Sequence, residues 1–350
     1  TEGLADADTF HRRAEDGEGF TRPELAVLLS SAKLVLQDAL ERSGVLDDPG
    51  LEEDLLSAFP PAMRETYRED ILNHRLRREI LATRIANRLV NRMGFIHPFE
   101  LAEEEGVSLA DVAAAFLAAE RLFAMGPVWN DIESGQMEEP ARILLFERAA
   151  HALRGHMADL LRAGAAQEFP SVLADALAPA LEELAGDGLL VSEARSGSAR
   201  LRAELSVAGA NEAELSSVVR LFDLDGAVGI AALAHGAGLE AVSLAKAFTS
   251  LGATLGLDWA QATAARLSPS DPWERLLVGG LARDFQQMRL DALRRWNGGD
   301  PQGAVNDWLA AQAEGVARFG GMIERARKVV PTTPALLAQI AGQARGLLMR

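Results

Sequence analysis

An all-α fold, a multi-helix bundle, is what these 350 residues predict, and three observations carry the prediction. Apolar residues recur at helical rather than alternating spacing along nearly the whole chain. Gly, Pro, Asp and Ser punctuate those stretches where helix ends are expected. Strands are missing: the best β candidate, GLLVSEA at 188–194, is short and isolated, and nothing resembles the strand–helix alternation of a nucleotide-binding or phosphatase fold.

Taken in order, residues 1–20 read as a polar N-terminal segment. Thr21-Arg22-Pro23-Glu24 opens the first clear helix: Thr21 caps it, Glu24 completes a capping box, and Pro23 sits in the first turn, where its missing N–H costs little. Leu25, Leu28, Leu29, Leu36 and Leu40 keep helical spacing until Ser43-Gly44. A short helix around 50–58 ends at Pro60-Pro61. Helical runs are expected over 62–93, 108–124, 140–163, 171–185, 211–224, 239–254, 272–297, 302–328 and 333–349. The stretch SEARSGSARLRAE (192–204) has little hydrophobic pattern. It divides the chain into a helical subdomain at 21–165, a helical or irregular connection at 166–206, and a second helical subdomain at 207–350.

An internal repeat underlies the two halves. Shifted by 132 positions (220 minus 88), residues 88–124 align without a gap on 220–256. Identities fall at Arg88/Arg220, Leu89/Leu221, Gly94/Gly226, Leu101/Leu233, Ala102/Ala234, Gly106/Gly238, Ala113/Ala245, Ala115/Ala247 and Phe116/Phe248, where chance in an Ala- and Leu-rich chain would give roughly three. Each copy is expected to form a helix end, a glycine of positive φ, a short helix, and a longer helix that buries Phe116 or Phe248.

Composition excludes several classes of function. With 51 acidic against 35 basic residues the net charge is -16, which argues against nucleic-acid binding. No apolar run is long enough to span a bilayer, and the start TEGLADADTFHRR has no signal-peptide character. The absence of cysteine excludes disulfides, thiolate nucleophiles and cysteine metal sites, and fits a cytoplasmic setting. Lys33, Lys246 and Lys328 are the only lysines; the other basic groups are arginines, suited to forked ion pairs. The chain begins with Thr rather than Met, as a fragment or processed product would.

Local motifs carry little chemistry. RLFDLDGAVG (220–229) resembles the nucleophile loop of haloacid dehalogenase phosphatases. However, no apolar strand precedes Asp223, Ala follows Gly226 where Thr is expected, and no downstream Asp pair is available for metal. In the first copy Asp223 and Asp225 become Asn91 and Met93, so Gly226 is read as a helix C-cap. GAGLEA (236–241) follows a helix, whereas a dinucleotide fingerprint must follow a strand. Among His11, His74, His97, His151, His156 and His235 there is no i, i+4 zinc pair; His151 and His156 point to different faces, for solvent or a core hydrogen bond. LEED (51–54) and EEE (103–105) read as solvated turns. Over 73–94, Arg77, Arg84, Asn87, Arg88, Asn91 and Arg92 share one helix face, and Ala82, Ile85, Ala86, Leu89, Val90 and Met93 the opposite one. This describes a scaffold helix whose guanidiniums pair with acidic neighbours, or a docking surface for another domain. Leu76 and Ile80 lie off the apolar face, so cover on a further side is expected. No catalytic, cofactor-binding or metal residue is assigned.

TRPELAVLLSSAK (21–33), HRLRREILATRIANRLVNRMG (74–94) and GATLGLDW (252–259) resemble, in order and spacing, stretches of the C-terminal helical region of the large bacterial NAD-specific glutamate dehydrogenases. The resemblance runs from about Thr21 to the C-terminus. It implies an auxiliary, all-helical role in a parent enzyme that oxidatively deaminates L-glutamate with NAD. The family's glycine-flanked substrate lysine and its Rossmann domain lie upstream and match nothing here. The resemblance therefore implies no cofactor in this segment, an upstream catalytic domain as partner and a homo-oligomeric parent; the arginine face of 73–94 offers Arg77, Arg84, Arg88 and Arg92 for docking to that partner. The alternatives are a stand-alone helical scaffold and, more distantly, the phosphatase.

Overall fold

The computed structural model describes residues 4–165, 167–190, 198–268, 271–296 and 299–350. Among them every regular element is helical. The helices are α1 (Ala7–Glu15), α2 (Arg22–Glu41), α3 (Glu52–Leu56), α4 (Pro61–Arg64), α5 (Arg68–Leu72), α6 (Arg77–Met93), α7 (His97–Glu105), α8 (Leu109–Leu122), α9 (Met125–Ser134) and α10 (Glu139–Ala163). They continue as α11 (Pro170–Asp187), α12 (Ser198–Val207), α13 (Glu212–Asp223), α14 (Ala227–Ala237), α15 (Ala241–Leu255), α16 (Leu257–Ala264), α17 (Pro272–Arg295), α18 (Pro301–Ala311), α19 (Ala313–Ala326) and α20 (Pro334–Leu348). None is long and apolar enough to cross a membrane. Residues 191–197, which hold the first part of the boundary stretch and the end of the β candidate, lie outside the described residues; 198–204 begin α12.

Two compact units divide the chain: Thr1–Leu117 with Ala165–Val172, and Ala118–Gly164 with Leu173–Arg350. In the first, α2 and α6 form the most extensive helix pair. The entry to α2 is fixed as its residues predict: Glu24 Oε2 accepts from Thr21 N at 2.8 Å and from Thr21 Oγ1 at 2.7 Å, and Arg13 Nη1 donates to Glu24 at 2.9 Å. Leu36, Leu40, Ile85 and Leu89 are fully buried. The run expected over 62–93 is three helices, because the chain turns at Glu65–Tyr67 and again before α6. Leu76, just ahead of α6, is 45% exposed, so the expected second cover is not present there. The run at 302–328 likewise breaks at Gln312, whose φ of -104° ends α18 and starts α19.

The repeat holds at the level of backbone angles. Gly94 and Gly226 have φ of +80° and +85°; Gly106 and Gly238 both cap helices in the left-handed region, at +66° and +64°. Phe116 and Phe248 are completely buried. Gly226 differs in one respect from its expected role: Leu224 is the C-cap of α13, and Gly226 stands two residues further on, at the entry to α14.

The correspondence also extends past the identities. At the same offset α9 falls on α16 (257 minus 125), and α10 ends where α17 ends (295 minus 163). Pro140 and Pro272 both lie in first turns, and the positive-φ residue before α9, Ala124 at +48°, matches Gly256 at +68°. Five consecutive helices, α6–α10, thus recur as α13–α17.

Candidate functional site

The Asp223-Leu224-Asp225-Gly226 stretch is a helix end and a turn. Asp223 is the last residue of α13 and accepts from the Ser198 hydroxyl, whereas Asp225 turns the other way and accepts from Gln261 Nε2 at 2.8 Å. The two carboxylates serve different neighbours, and no strand presents Asp223 as a nucleophile. A cavity of about 460 Å³ opens beside this turn, with Glu182, Arg220 and Asp223 as its charged lining. Gly238 in the GAGLEA stretch caps α14, a turn between helices. Among the described residues, no group of three or more histidines and carboxylates is placed to hold a metal ion.

Four arginines of α6 bond within their own unit. Arg77 and Arg78 reach Asp47 at 3.5 and 2.7 Å, Arg78 also bonds the Ser43 carbonyl at 2.6 Å, Arg84 Nη2 donates to Ser57 Oγ at 2.8 Å, and Arg88 pairs with Asp54. The acidic turn at 51–54 supplies one of these partners, Asp54, and its Glu52 takes Arg68 at 2.8 Å. With Leu81, Ala82, Ile85, Ala86, Leu89, Val90 and Met93 buried opposite, α6 has the two-faced character its sequence predicts.

The most concentrated chemistry is one that motif reading missed, in the core of the second unit. Arg289 on α17 has no exposed surface. Its Nη1 meets Asp258 Oδ1 at 2.6 Å, its Nη2 donates to Gln261 Oε1, its Nε donates to the Phe285 carbonyl at 3.0 Å, and its guanidinium carbon lies 4.0 Å from the Phe248 ring centroid. A buried guanidinium requires such partners, since an unpaired charge there would cost several kcal/mol, on the order of 3–5. Gln261 passes the chain of bonds on to Asp225.

A turn away, Gln286 Nε2 donates to Asp159 Oδ2 at 2.8 Å. Burial, then the neighbouring Asp225 charge, pushes the Asp159 carboxyl up to about 7 against the pull of Gln286, Arg162 and Arg283. His156 stacks on Phe123 at 4.0 Å, and its Nε2 stands 2.9 Å from the Leu221 carbonyl. A carbonyl only accepts, so Nε2 carries the proton; Nδ1 is buried with no hydrogen-bond partner. Burial lowers the His156 pKa, which the Asp225 charge partly offsets.

A signal for this network did exist in the sequence, in the repeat rather than in any motif. Asp225, Gln261 and Arg289 fall, at the offset of 132, on Met93, Trp129 and Met157. Those three are 3%, 2% and 1% exposed. Positions that are apolar and buried in one copy are polar in the other.

Comparison with known proteins places the chain. The family described as "Glutamate dehydrogenase, C-terminal" matches residues 17–339. An NAD-specific glutamate dehydrogenase of Halomonas elongata is 32% identical over 319 residues, covering 88% of this chain and 20% of that protein. One from Pseudomonas aeruginosa is 29% identical over 355 residues, 96% of this chain and 21% of the relative. One from Mycobacterium tuberculosis is 31% identical over 202 residues, 55% and 12% respectively. The chain spans about a fifth of the length of the first two relatives. Matched across nearly all of its helices, it belongs to the glutamate dehydrogenase C-terminal family.

Proposed function

We propose that this chain is the auxiliary helical region of a cytoplasmic, homo-oligomeric NAD-dependent glutamate dehydrogenase, serving structure, docking or regulation and contributing no active-site residue. The observation that carries the reading is the family match over 17–339, which includes both α2 and α6. The parent's reaction, oxidative deamination of L-glutamate to 2-oxoglutarate and ammonia with NAD, is assigned to the remainder of the enzyme. The absence of a Gly-flanked lysine supports that division. Lys33, Lys246 and Lys328 lie on or beside all-helical elements and none has glycine neighbours.

Docking to the catalytic part uses the arginine face of α6. Arg77 keeps 46% of its side chain exposed while bonded to Asp47, and Arg88 keeps 31% beside Asp54. The Arg77 guanidinium has five N–H groups, so its intra-unit pair orients it and leaves donors for a second acceptor; Arg84, Arg88 and Arg92 extend the same face.

Calorimetry and a glutamate oxidation assay on the isolated chain test the division of labour: neither NAD binding nor turnover is expected, and NAD binding at micromolar affinity would refute it. Titrating the chain against the separately expressed remainder of the enzyme tests docking. Complex formation weakened by Arg77→Ala with Arg84→Ala is expected; a complex indifferent to both would move the docking surface elsewhere.

A further inference from the structure

The polar core of the second unit is not required by its fold. The first copy of the repeat builds the same helix succession with Met93, Trp129 and Met157 where the second has Asp225, Gln261 and Arg289. Apolar replacement of buried ionic groups is commonly neutral or stabilising, so Asp225, Gln261 and Arg289, polar where the matched positions are apolar, call for another explanation.

Beside that network, and sharing Asp225 with it, three titratable groups meet at one junction. His156 and Asp159 lie three residues apart on α10, on one face, as i, i+3 positions do. That face meets the end of α13 through the Leu221 carbonyl, and α17 through Gln286. Gln286 in turn packs against the turn glycine, since a Cβ at Gly226 would lie 3.5 Å from its amide carbon. Asp225, the preceding residue, acts electrostatically on both His156 and Asp159.

We propose that His156, Asp159 and Asp225 form a proton-held latch in the second unit: one buried proton keeps α10 closed on the α13–α14 turn and α17, and its loss opens that junction. With the proton on Asp159, a neutral acid faces Asp225 and keeps the Gln286 bond. Without it, the buried Asp159 carboxylate meets the charge of half-buried Asp225, and the uncharged imidazole of His156 neutralises neither. The value of about 7 for Asp159 puts this exchange at neutral pH.

The other charged groups around the junction do not take over the role. Arg162 on α10 and Arg283 on α17 pull Asp159 the opposite way and act more weakly than burial and Asp225. α13 brings Glu214, buried beside Gly135 near its N-terminal end, and Arg220 and Asp223 on its outer side. α14 packs on α10 with apolar residues and carries His235 exposed at its last turn. α9 contributes exposed Asp131 and Glu133. α12 contributes Arg200, Arg202 and Glu204, the last bonded to Arg148 at 2.6 Å.

The latch stands on the fold and is independent of the enzyme reading. Its test is urea unfolding of the 350-residue chain between pH 4.5 and 8.5, beside Asp159→Asn and Asp225→Asn. A carboxyl whose folded pKa is raised contributes stability that is lost as pH rises from its unfolded value to its folded one. Relative to Asp159→Asn, the unfolding constant of the parent chain should therefore rise by up to tenfold per pH unit from about 4 to 7, then level off. Asp225→Asn should move the levelling point to lower pH. Hydrogen exchange over 153–163, corrected for its intrinsic pH dependence, should accelerate in the parent above pH 7 and not in Asp159→Asn. Parallel profiles for parent and Asp159→Asn, or a levelling point unmoved by Asp225→Asn, would overturn the latch. Infrared titration of the parent covers the case of a variant that does not fold: a protonated carboxyl persisting above pH 6 is expected, and its absence overturns the proposal.

Discussion

Replacing Gly252 by Ala sets a single methyl group against the tightest part of the second unit. Gly252 lies inside α15 and is buried. A Cβ there would sit 2.4 Å from Arg289 Nη1 and 2.7 Å from Asp258 Oδ1, closer than any carbon tolerates. Two effects oppose each other. Ala in a helix interior is favoured over Gly by about 1 kcal/mol. Separating a buried guanidinium from its carboxylate costs about 3–5 kcal/mol, because the charge stays behind without its partner. The pair dominates, and the net expected loss is about 2–4 kcal/mol.

Urea denaturation followed by circular dichroism measures that loss, and hydrogen exchange over 241–264 localises it. The first copy supplies the control. Arg289→Met installs the residue type found at the equivalent Met157, removes one of the two atoms the methyl strikes and releases Asp258 from the pair, so Gly252→Ala in that background should cost much less than in the parent. A coupling of at least about 2 kcal/mol between the two substitutions is expected. Additive effects, or a Gly252→Ala chain as stable as the parent, would refute the claim that Gly252 is there to admit Arg289.

Three further outcomes follow from the same structure. Phe116→Ala and Phe248→Ala, each emptying a fully buried site, should cost roughly 3–5 kcal/mol in denaturant titrations. Ala124→Gly should stabilise the chain by up to about 1 kcal/mol, since Ala124 sits at φ +48° where Gly256 stands in the other copy, while Gly106→Ala and Gly238→Ala, with open space around the added Cβ, should each lose about 1 kcal/mol from backbone strain alone. At the start of α2, the Thr21 backbone N–H and hydroxyl, with help from Arg13, hold the Glu24 carboxyl at about 2. Its contribution is therefore present above pH 4.5 and fades as pH falls toward 2, and Glu24→Gln should remove that acid dependence from the unfolding midpoint.

Most of the helical framework was legible because its signals are local. Thr21 and Glu24 mark the start of α2, Pro140 and Pro272 mark two long helices, and the glycines of the repeat mark the turns. What escaped was set by tertiary contact. α1 forms with no buried residue, held at its start by Asp6 accepting from Thr9 N at 2.8 Å, and its short Ala7–Phe10–Ala14 stripe is easily lost among polar residues. The breaks at Glu65–Tyr67 and Gln312 carry no glycine or proline. Arg289 is one arginine among many, and nothing in its neighbours along the chain distinguishes it from exposed Arg294 or Arg295; only folding brings Asp258 and Gln261 to it. Asp159 is hidden for the same reason, as one of several charged residues along α10.

The turns of the duplicated segment are as informative as its helices. Residues 94–96 and 224–226 join the first two helices of each copy, and 106–108 and 238–240 the next two, so neither copy has gained or lost a residue there. Connections this short have no slack. One residue inserted inside α8 or α15 would turn everything beyond it by about 100°, swinging the Phe116 or Phe248 stripe off its seat with no loop long enough to unwind the error. Length is therefore the quantity this segment holds constant, while side-chain chemistry is free to change from methionine to aspartate or arginine. The segment works as a ruler, and a tag or reporter domain belongs outside it, for instance in the exposed stretch 328–331 between α19 and α20.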